Sequence, residues 1–158
     1  MTKAFAQFEK IARSSKHIGD RSASEFRSIH PFDERNIHPE IVRVSLKLFD
    51  NGHYSQATFE AFKYLDVTVK SLSKINDSGQ NLMMSAFSDK NTKIKLTNMS
   101  DQSELDEQNG YRFIFAGSMS AIRNPRGHEI NVDPIDRCLD HLSMASVLLR
   151  RLEERKYP

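Results

Sequence analysis

The chain has 158 residues, one cysteine and no tryptophan, and its 23 Lys and Arg against 21 Asp and Glu give a formal net charge of +2. A chain of this length is expected to form a single domain. One cysteine excludes an intrachain disulfide and a cysteine-based zinc site, and no apolar run is long enough to cross a bilayer, so we expect a cytoplasmic protein. The near-neutral charge disfavours a protein that holds long duplex nucleic acid, which usually needs a larger basic excess.

The charge excess lies at the N-terminal end of the chain. Residues 1–36 carry seven basic and five acidic side chains, whereas residues 37–158 carry sixteen of each. Apolar residues at helical spacing predict a short amphipathic helix over residues 2–14, and the polar composition of residues 15–36 predicts a linker or a loosely docked arm. We therefore divide the chain into an N-terminal arm, residues 1–36, with a docking or dimerising role, and a helical domain, residues 37–158.

The domain begins with two strong helical patterns. Pro39 suits the first position of a helix that Asn51-Gly52 would end. Ser55 is predicted to cap the second helix, and Asp77-Ser78-Gly79 is predicted to stop it. The apolar residues within 82–87 then predict a short additional helix packed on the others.

Two further helices complete the predicted domain. Residues 88–103 are polar and favour a solvated loop, with substrate contact as the alternative. The third long helix is predicted to start near Ser103 and to end at Asn124-Pro125, and the last is predicted to have Asp133 as its cap and Pro134 at its first position. No alternating pattern requires a sheet. The sequence predicts an all-α fold: an antiparallel four-helix bundle with an extra N-terminal helical segment and a short helix between bundle helices two and three.

The densest group of polar residues follows the third long helix. Residues 123–129 read Arg-Asn-Pro-Arg-Gly-His-Glu. Pro125 and Gly127 predict that the chain leaves the helix and turns, which would bring Arg123 and His128 towards the same space.

These residue types suit chemistry at a phosphate group. The guanidinium of Arg123 matches phosphate oxygens, and the imidazole of His128 can transfer a proton near neutral pH. The amide of Asn124 can orient the imidazole or donate to an oxyanion. The residues alone leave a structural role open, in which Arg123 caps its helix or pairs with Glu129.

Several separated blocks of the chain, together with this motif, resemble the Ymh-like branch of the HEPN superfamily, which consists of small four-helix domains linked to nucleic acids. The resemblance covers about residues 37–153. Its blocks are His38-Pro39-Glu40-Ile41, Asp50-Asn51-Gly52-His53-Tyr54, Ala57, Phe59-Glu60-Ala61-Phe62, Leu82-Met83, Ala86-Phe87, Gly110-Tyr111-Arg112-Phe113, Ala116-Gly117, Arg123-Asn124-Pro125-Arg126-Gly127-His128-Glu129 and residues 142–152.

The resemblance implies a metal-independent endoribonuclease that acts as a homodimer. Arg123 would hold the scissile phosphate, His128 would act as general acid or base, and Asn124 would support their geometry. Attack by the 2′-hydroxyl of the RNA itself would need no metal or cofactor and would leave a 2′,3′-cyclic phosphate and a 5′-hydroxyl. Many relatives of this kind act in toxin–antitoxin or phage-defence systems. The expected partners are therefore RNA, a second copy of the chain and an antitoxin or other partner protein, without a membrane.

Five further residues are candidates for RNA binding or for support of the site: Arg126, Glu129, Glu60, His53 and Tyr54. Glu60 would pair with Arg123 or His128 if its helix face points to the motif; otherwise it lies on a solvated face. A metal site built from His30, Asp33 and His38 is disfavoured by their wide spacing.

A second class of function remains open at the level of sequence. Some HEPN domains keep the fold without activity, and the helical domain has no net charge. The alternative is therefore a non-catalytic module of a defence or regulatory complex, which binds RNA, a nucleotide or a protein.

Overall fold

The computed structural model describes residues 29–128 and 133–155, and all regular secondary structure in these two ranges is helical. The predicted all-α class is confirmed. The elements are α1 (Pro31–Glu34), α2 (Pro39–Asp50), α3 (Tyr54–Ser73), α4 (Gly79–Ala86), α5 (Gln102–Ser118), a π-helical turn (Met119–Arg123), α6 (Asn124–His128) and α7 (Ile135–Glu153). None of these helices is long and apolar enough to cross a membrane. The helix expected over residues 2–14 lies outside the described residues.

The compact unit that holds these helices begins at Pro31. Phe32 of α1 is buried, and its ring centroid lies 4.8 Å from that of Phe49 in α2. The backbone carbonyl of Asn36 accepts a hydrogen bond of 2.6 Å from Arg150 of α7. Residues 31–36, predicted to belong to the arm, therefore pack on the helices, because burial of Phe32 removes apolar surface from water.

The predicted start of α2 is confirmed by its capping contacts. Pro39 is the first helical residue and His38 is the N-cap, whose Nδ1 accepts from the backbone N–H of Glu40 at 3.2 Å. The other ring nitrogen of His38 lies 3.0 Å from a carboxylate oxygen of Glu153, and its backbone N–H donates to Ser146 Oγ. One buried histidine thus caps α2 and joins it to α7.

The ends of α3 differ from the prediction. The helix starts two residues earlier, with His53 as N-cap, and Ser55 is not the cap because its hydroxyl accepts a hydrogen bond from the backbone N–H of Asp133. The helix ends at Ser73, where Lys74 takes a left-handed conformation with φ of 58°. Asp77-Ser78-Gly79 therefore does not stop α3; Ser78 is instead the N-cap of α4.

The core is formed where α3 packs against α2 and α7, and where α4 packs against α5. Each large apolar side chain buried in this way contributes about 1.5–3 kcal/mol of transfer free energy. The largest fully buried side chains are Phe62, Phe87, Phe115, Ile41, Leu65, Leu82, Met83, Ile94, Met119, Leu142, Leu148 and Leu152.

The helix that carries the motif does not end where the sequence predicted. It starts at Gln102, because the side chain of Asp101 caps the backbone N–H of Glu104 at 2.9 Å, and it continues through the π turn into α6. In the π turn the backbone N–H of Asn124 bonds to the carbonyl of Met119, five residues earlier. Pro125 has no N–H to donate, and it directly follows the π turn, where the hydrogen-bonding register of the helix changes.

The connection before α5 is anchored by one buried glutamine. Gln108 is fully buried, and its side-chain oxygen accepts from the backbone N–H of Leu96 at 2.9 Å. Its amide nitrogen donates to the carbonyls of Phe87 and Ile94 at 3.1 and 3.0 Å. Part of the segment that favoured a solvated loop is thus held inside the protein, with Ile94 and Leu96 in the core.

We expect Gln108→Ala to lower the free energy of unfolding by at least about 2 kcal/mol, because three buried backbone groups lose their partner. Urea denaturation followed by circular dichroism measures this change. Gln102→Ala, at an exposed position of the same helix, should cost less than about 0.5 kcal/mol. Equal effects of the two substitutions would contradict the anchoring role of Gln108.

Candidate functional site

Arg123 is the last residue of the π turn, and three neighbours hold its side chain. The guanidinium carbon lies 5.5 Å from the centroid of the Phe59 ring in α3. One terminal nitrogen donates to the side-chain oxygen of Asn124 at 3.2 Å, and the other lies 4.0 Å from a carboxylate oxygen of Asp66. The Nε atom is buried without a hydrogen-bond partner among the described residues. Because a quarter of the side chain is exposed, Arg123 is fixed in place but accessible to a ligand.

A polar groove of about 270 Å³ lies beside Arg123. We call it the polar groove, and its lining residues are Ser78, Gly79, Gln80, Asn81, Arg123 and Asn124. The N-terminus of α4 opens onto it, where the first backbone N–H groups of a helix have no intrahelical partners and the helix dipole is positive. The Ser78 side chain makes no capping bond to these groups. A guanidinium beside such a helix end favours a phosphate group.

Asp66 of α3 contacts both positive parts of the polar groove, which are the guanidinium of Arg123 and the N-terminus of α4. It is buried, and one carboxylate oxygen accepts a hydrogen bond of 2.7 Å from the backbone N–H of Gly79. The other carboxylate oxygen is the one that lies near Arg123. A single side chain therefore positions the N-terminus of α4 and the guanidinium of the motif relative to each other.

A second groove of about 350 Å³ lies on α3 next to α6. We call it the Phe59 groove, and its lining residues are Leu48, Gln56, Phe59, Glu60, Arg126 and Gly127. A Cβ atom at Gly127 would lie 3.0 Å from the ring of Phe59, which is closer than ordinary carbon contacts. The absence of a side chain at Gly127 thus allows α6 to approach α3 closely at this groove.

Arg126 was expected to contact RNA, but the structure places its guanidinium in a buried ion pair. It donates two hydrogen bonds to the carboxylate of Asp133 and a third, of 2.7 Å, to the carbonyl of Ile122. The side chains of Arg126 and Asp133 are 9% and 4% exposed. Burial alone would raise the pKa of Asp133, but hydrogen bonding and the charge of Arg126 outweigh it and hold the pKa below its ordinary value.

The positive charge of Arg126 also acts on a neighbouring histidine, His141. Burial, and then the positive charge of Arg126, lower the pKa of His141 in α7. With its pKa lowered, His141 is neutral at pH 7, and the negative charge of Asp133 faces Arg126 and, 3.7 Å away, Arg137.

His128 is the last residue of α6 and is exposed. It lines neither groove, and among the described residues it makes no hydrogen bond or ion pair. It follows Asn124 by four residues in the same helix, so the two lie on one face of α6, whereas Arg123 is five residues away. The predicted turn at Pro125 and Gly127 is wrong because these residues are helical, and the structure shows no contact between Arg123 and His128.

The remaining candidate residues have other surroundings. Glu60 lines the Phe59 groove and pairs with Lys63 at 3.0 Å, so it does not reach Arg123 or His128. His53 is an exposed N-cap, and the ring of Tyr54 packs 5.2 Å from that of Phe49. Glu129 lies outside the described residues.

Two residues of the site were missed at the level of sequence. Asp66 and Phe59 lie far from the motif along the chain and are brought to it only by packing of α3. A weak signal was present, because Asp66 interrupts the apolar face of α3 beside Leu65 and Val69, which are fully buried. A buried carboxylate at such a position needs a partner, and here it has Gly79 and Arg123.

Residues 35–152 match a protein family model whose description is "Protein of unknown function (Hypoth_ymh)". The chain belongs to the Hypoth_ymh family. No curated protein and no solved structure matches it. The segment that matches the Hypoth_ymh model contains both grooves, the buried ion pair and the whole of α6.

The two described ranges contain no group of three or more His, Cys, Asp or Glu side chains arranged to hold a metal ion. His38, one of the three residues considered for a metal, has its ring nitrogens next to Glu40 and Glu153.

We expect the Arg126–Asp133 pair to stabilise the protein in a pH-dependent way. The folded-state pKa of Asp133 is lowered. The contribution of the ion pair to the free energy of unfolding is therefore complete above the ordinary carboxyl pKa of about 3.9, and it is lost as pH falls through the folded-state pKa. Asp133→Asn should therefore lower the free energy of unfolding strongly at pH 7 and progressively less below about pH 4.

Urea denaturation at pH 7 and at pH 3 measures this difference. Asp140→Asn, at an exposed carboxylate of α7, is the control and should have a small effect at both pH values. A loss for Asp133→Asn that does not change with pH would contradict the assigned ion pair.

Proposed function

We propose that the chain is a metal-independent endoribonuclease of the HEPN type, which cuts single-stranded RNA as a homodimer. One observation carries the proposal. Arg123, Asn124 and the N-terminus of α4 face the same polar groove, and Asp66 holds the guanidinium and the helix end in fixed relation. This arrangement favours a phosphodiester group, whose charged oxygens can be bound at two sides.

In the proposed reaction the polar groove binds the scissile phosphate. The 2′-hydroxyl of the preceding ribose attacks phosphorus, a new P–O bond forms, and the bond to the 5′-oxygen breaks. The products are a 2′,3′-cyclic phosphate and a 5′-hydroxyl. Arg123 stabilises the negative charge that develops on the phosphoryl oxygens in the transition state. DNA lacks the attacking hydroxyl and is therefore not cut.

Two protons move in this reaction, one from the 2′-hydroxyl and one to the 5′-oxygen. His128 is the group we assign to proton transfer, because an imidazole can both donate and accept a proton and this one is exposed on the same face of α6 as Asn124. Asn124, bonded to Arg123, orients the guanidinium and donates to the substrate. Because His128 lines neither groove, the RNA chain would have to extend from the polar groove along α6 to reach it.

An exposed face of α5 and the π turn supports the homodimer. We call it the apolar face, and its residues, all exposed, are Gly110, Phe113, Ile114, Gly117 and Ala121. Phe113 is 60% exposed, and no atom lies within 4 Å of a Cβ built at either glycine. Glycine inside a helix costs about 1 kcal/mol relative to alanine, and no contact within the described chain requires it here. A second copy packed on this face would bury the large side chains, and the glycines would let the two helices approach closely.

The biological role that fits this activity is growth arrest or defence against phage in the cytoplasm, under the control of an antitoxin or other partner protein. A nuclease that acts on exposed single strands needs only a local phosphate site, which agrees with the small net charge of +2.

Purified protein is expected to cleave single-stranded RNA in the presence of EDTA, and Arg123→Ala and His128→Ala should each lower the rate at least about a hundredfold. The expected loss reflects removal of transition-state charge stabilisation in one case and of proton transfer in the other. Gel electrophoresis of labelled RNA measures the rate, and circular dichroism verifies that each variant is folded.

Arg43→Ala is the matched control, because Arg43 is exposed on α2 and lines neither groove. Its rate should equal that of the wild type. Cleavage by the Arg123→Ala, His128→Ala double variant at the wild-type rate would refute the assignment.

The apolar face provides a separate test of the dimer. Phe113→Glu should convert the dimer into a monomer, because a charge would replace a large apolar side chain at the contact. Multi-angle light scattering measures the mass. Val67→Glu and Val147→Glu, at side chains that are 58% and 56% exposed on other helices, should leave the mass unchanged. A wild-type protein that is monomeric throughout would sink this part of the proposal.

One observation favours a second function, a non-catalytic module that binds RNA or a nucleotide through the same polar groove. His128 has no described partner that orients it and does not line the groove that contains Arg123. Saturable RNA binding that depends on Arg123, with no cleavage after long incubation, would support this alternative.

A further inference from the structure

The Phe59 groove has a chemical character different from that of the polar groove. Leu48 and Phe59 supply apolar surface, and Gln56 and Glu60 supply polar groups from two positions one helical turn apart on α3. Its volume of about 350 Å³ lies in the range of about 300–1,000 Å³ that is usual for small-molecule pockets. An apolar wall next to a few polar groups is the arrangement in which proteins bind single nucleobases.

Phe59 links this groove to the proposed phosphate site, although the two grooves share no lining residue. The Arg123 guanidinium that faces the polar groove also lies over the Phe59 ring, and that ring lines the second groove. A nucleotide with its phosphate at Arg123 would therefore have its base, or the base of a neighbouring nucleotide, close to Phe59.

The two hydrogen-bonding side chains of the Phe59 groove would not suit the four bases equally. The ionised carboxylate of Glu60 only accepts hydrogen bonds, and Lys63 holds it by contacts to both oxygens at 3.0 and 3.2 Å. The exposed amide of Gln56 can both donate and accept. Guanine is the one base whose Watson–Crick edge presents two adjacent donors, N1–H and the N2 amino group, beside an acceptor, O6. Its donors match Glu60 and its acceptor matches the Gln56 amide.

We propose that the Phe59 groove is a base-recognition subsite that prefers guanine, with Glu60 and Gln56 as its specificity-determining residues. The subsite rests on the proposed function, because it takes a nucleotide next to the phosphate held by Arg123. Gly127 keeps the groove open, since a side chain there would press on Phe59. Arg126 forms part of the wall, but its guanidinium is occupied by Asp133 and does not compete for the base.

The experiment uses uridine hexamers in which one nucleotide next to the cut is replaced by guanosine, adenosine or cytidine. Wild-type protein should cleave the guanosine hexamer about tenfold faster than the others, which is the order of discrimination expected from one bidentate base contact. Glu60→Gln should abolish this preference, since an amide has only one acceptor oxygen and cannot receive both donors of guanine, and Gln56→Ala should weaken it.

Glu40→Gln is the matched control. Glu40 also forms an i,i+3 ion pair, with Arg43, but it lies on α2 and lines neither groove. Its base preference should remain that of the wild type. A merely structural role of Glu60 would lower cleavage of all hexamers equally and would leave their ratio unchanged, which would overturn the proposal.

A binding measurement separates failure of the subsite from failure of the ribonuclease assignment. Hexamers of the same sequences with 2′-O-methyl groups cannot be cut, and fluorescence anisotropy gives their dissociation constants. Tighter binding of the guanosine hexamer, lost in Glu60→Gln, would support the subsite even if no RNA is cleaved. Equal binding of all hexamers by the wild type, with equal cleavage of the corresponding RNAs, would refute it.

Discussion

The buried ion pair between Arg126 and Asp133 fixes the motif on the rest of the protein. Both side chains are withdrawn from water, so loss of either partner would leave an uncompensated buried charge, at a cost of about 3–5 kcal/mol. Arg126 belongs to α6, while Asp133 precedes α7 and also bonds to Ser55 of α3 through its backbone N–H. α3, α6 and the residue that precedes α7 thus meet at Asp133, through its backbone N–H and its carboxylate. The position of α6, and with it the width of the Phe59 groove, depends on this contact.

Local signals predicted the parts of the fold that local interactions determine. The start of α2 at Pro39 was predicted from its first-turn proline, and the short helix predicted from apolar residues within 82–87 is α4, which begins earlier, at Gly79. The predicted helix caps are wrong where the capping side chain bonds instead to a residue far away in the sequence. Ser55 and Asp133 look like helix caps in sequence, but their polar groups are used between elements, with each other and with Arg126. Such tertiary contacts cannot be deduced from neighbours in the chain.

The candidate site was predictable to a similar extent. Arg123 and Asn124 were identified because they stand together in a polar stretch that ends an apolar helix, and the structure places both in the polar groove. Asp66 was not identified, because only the packing of α3 and α4 brings it next to the motif. Arg126 was expected to be free for RNA because a surface arginine and a buried one look alike in sequence.

Two adjacent grooves with different chemistry agree with a substrate that alternates charged and aromatic parts. The polar groove offers a guanidinium and a helix N-terminus, whereas the Phe59 groove offers apolar walls and two hydrogen-bonding side chains. A nucleotide chain has this alternation of phosphate and base. Phe59 lies at the boundary, where Arg123 and Lys63 lie over its ring and the missing side chain of Gly127 leaves room for its edge.

The π-helical turn at Met119–Arg123 gives the motif helix an extra residue relative to a regular α-helix. Each residue of an α-helix turns the following ones by about 100°. An extra residue would therefore normally rotate everything that follows it, but the wider π turn takes up this residue locally. Removal of one residue here would restore regular helical hydrogen bonding and leave α6 close to its present orientation towards Asp133 and Phe59. The segment before the motif is therefore a place where the chain can change its length by one residue while the two grooves stay aligned.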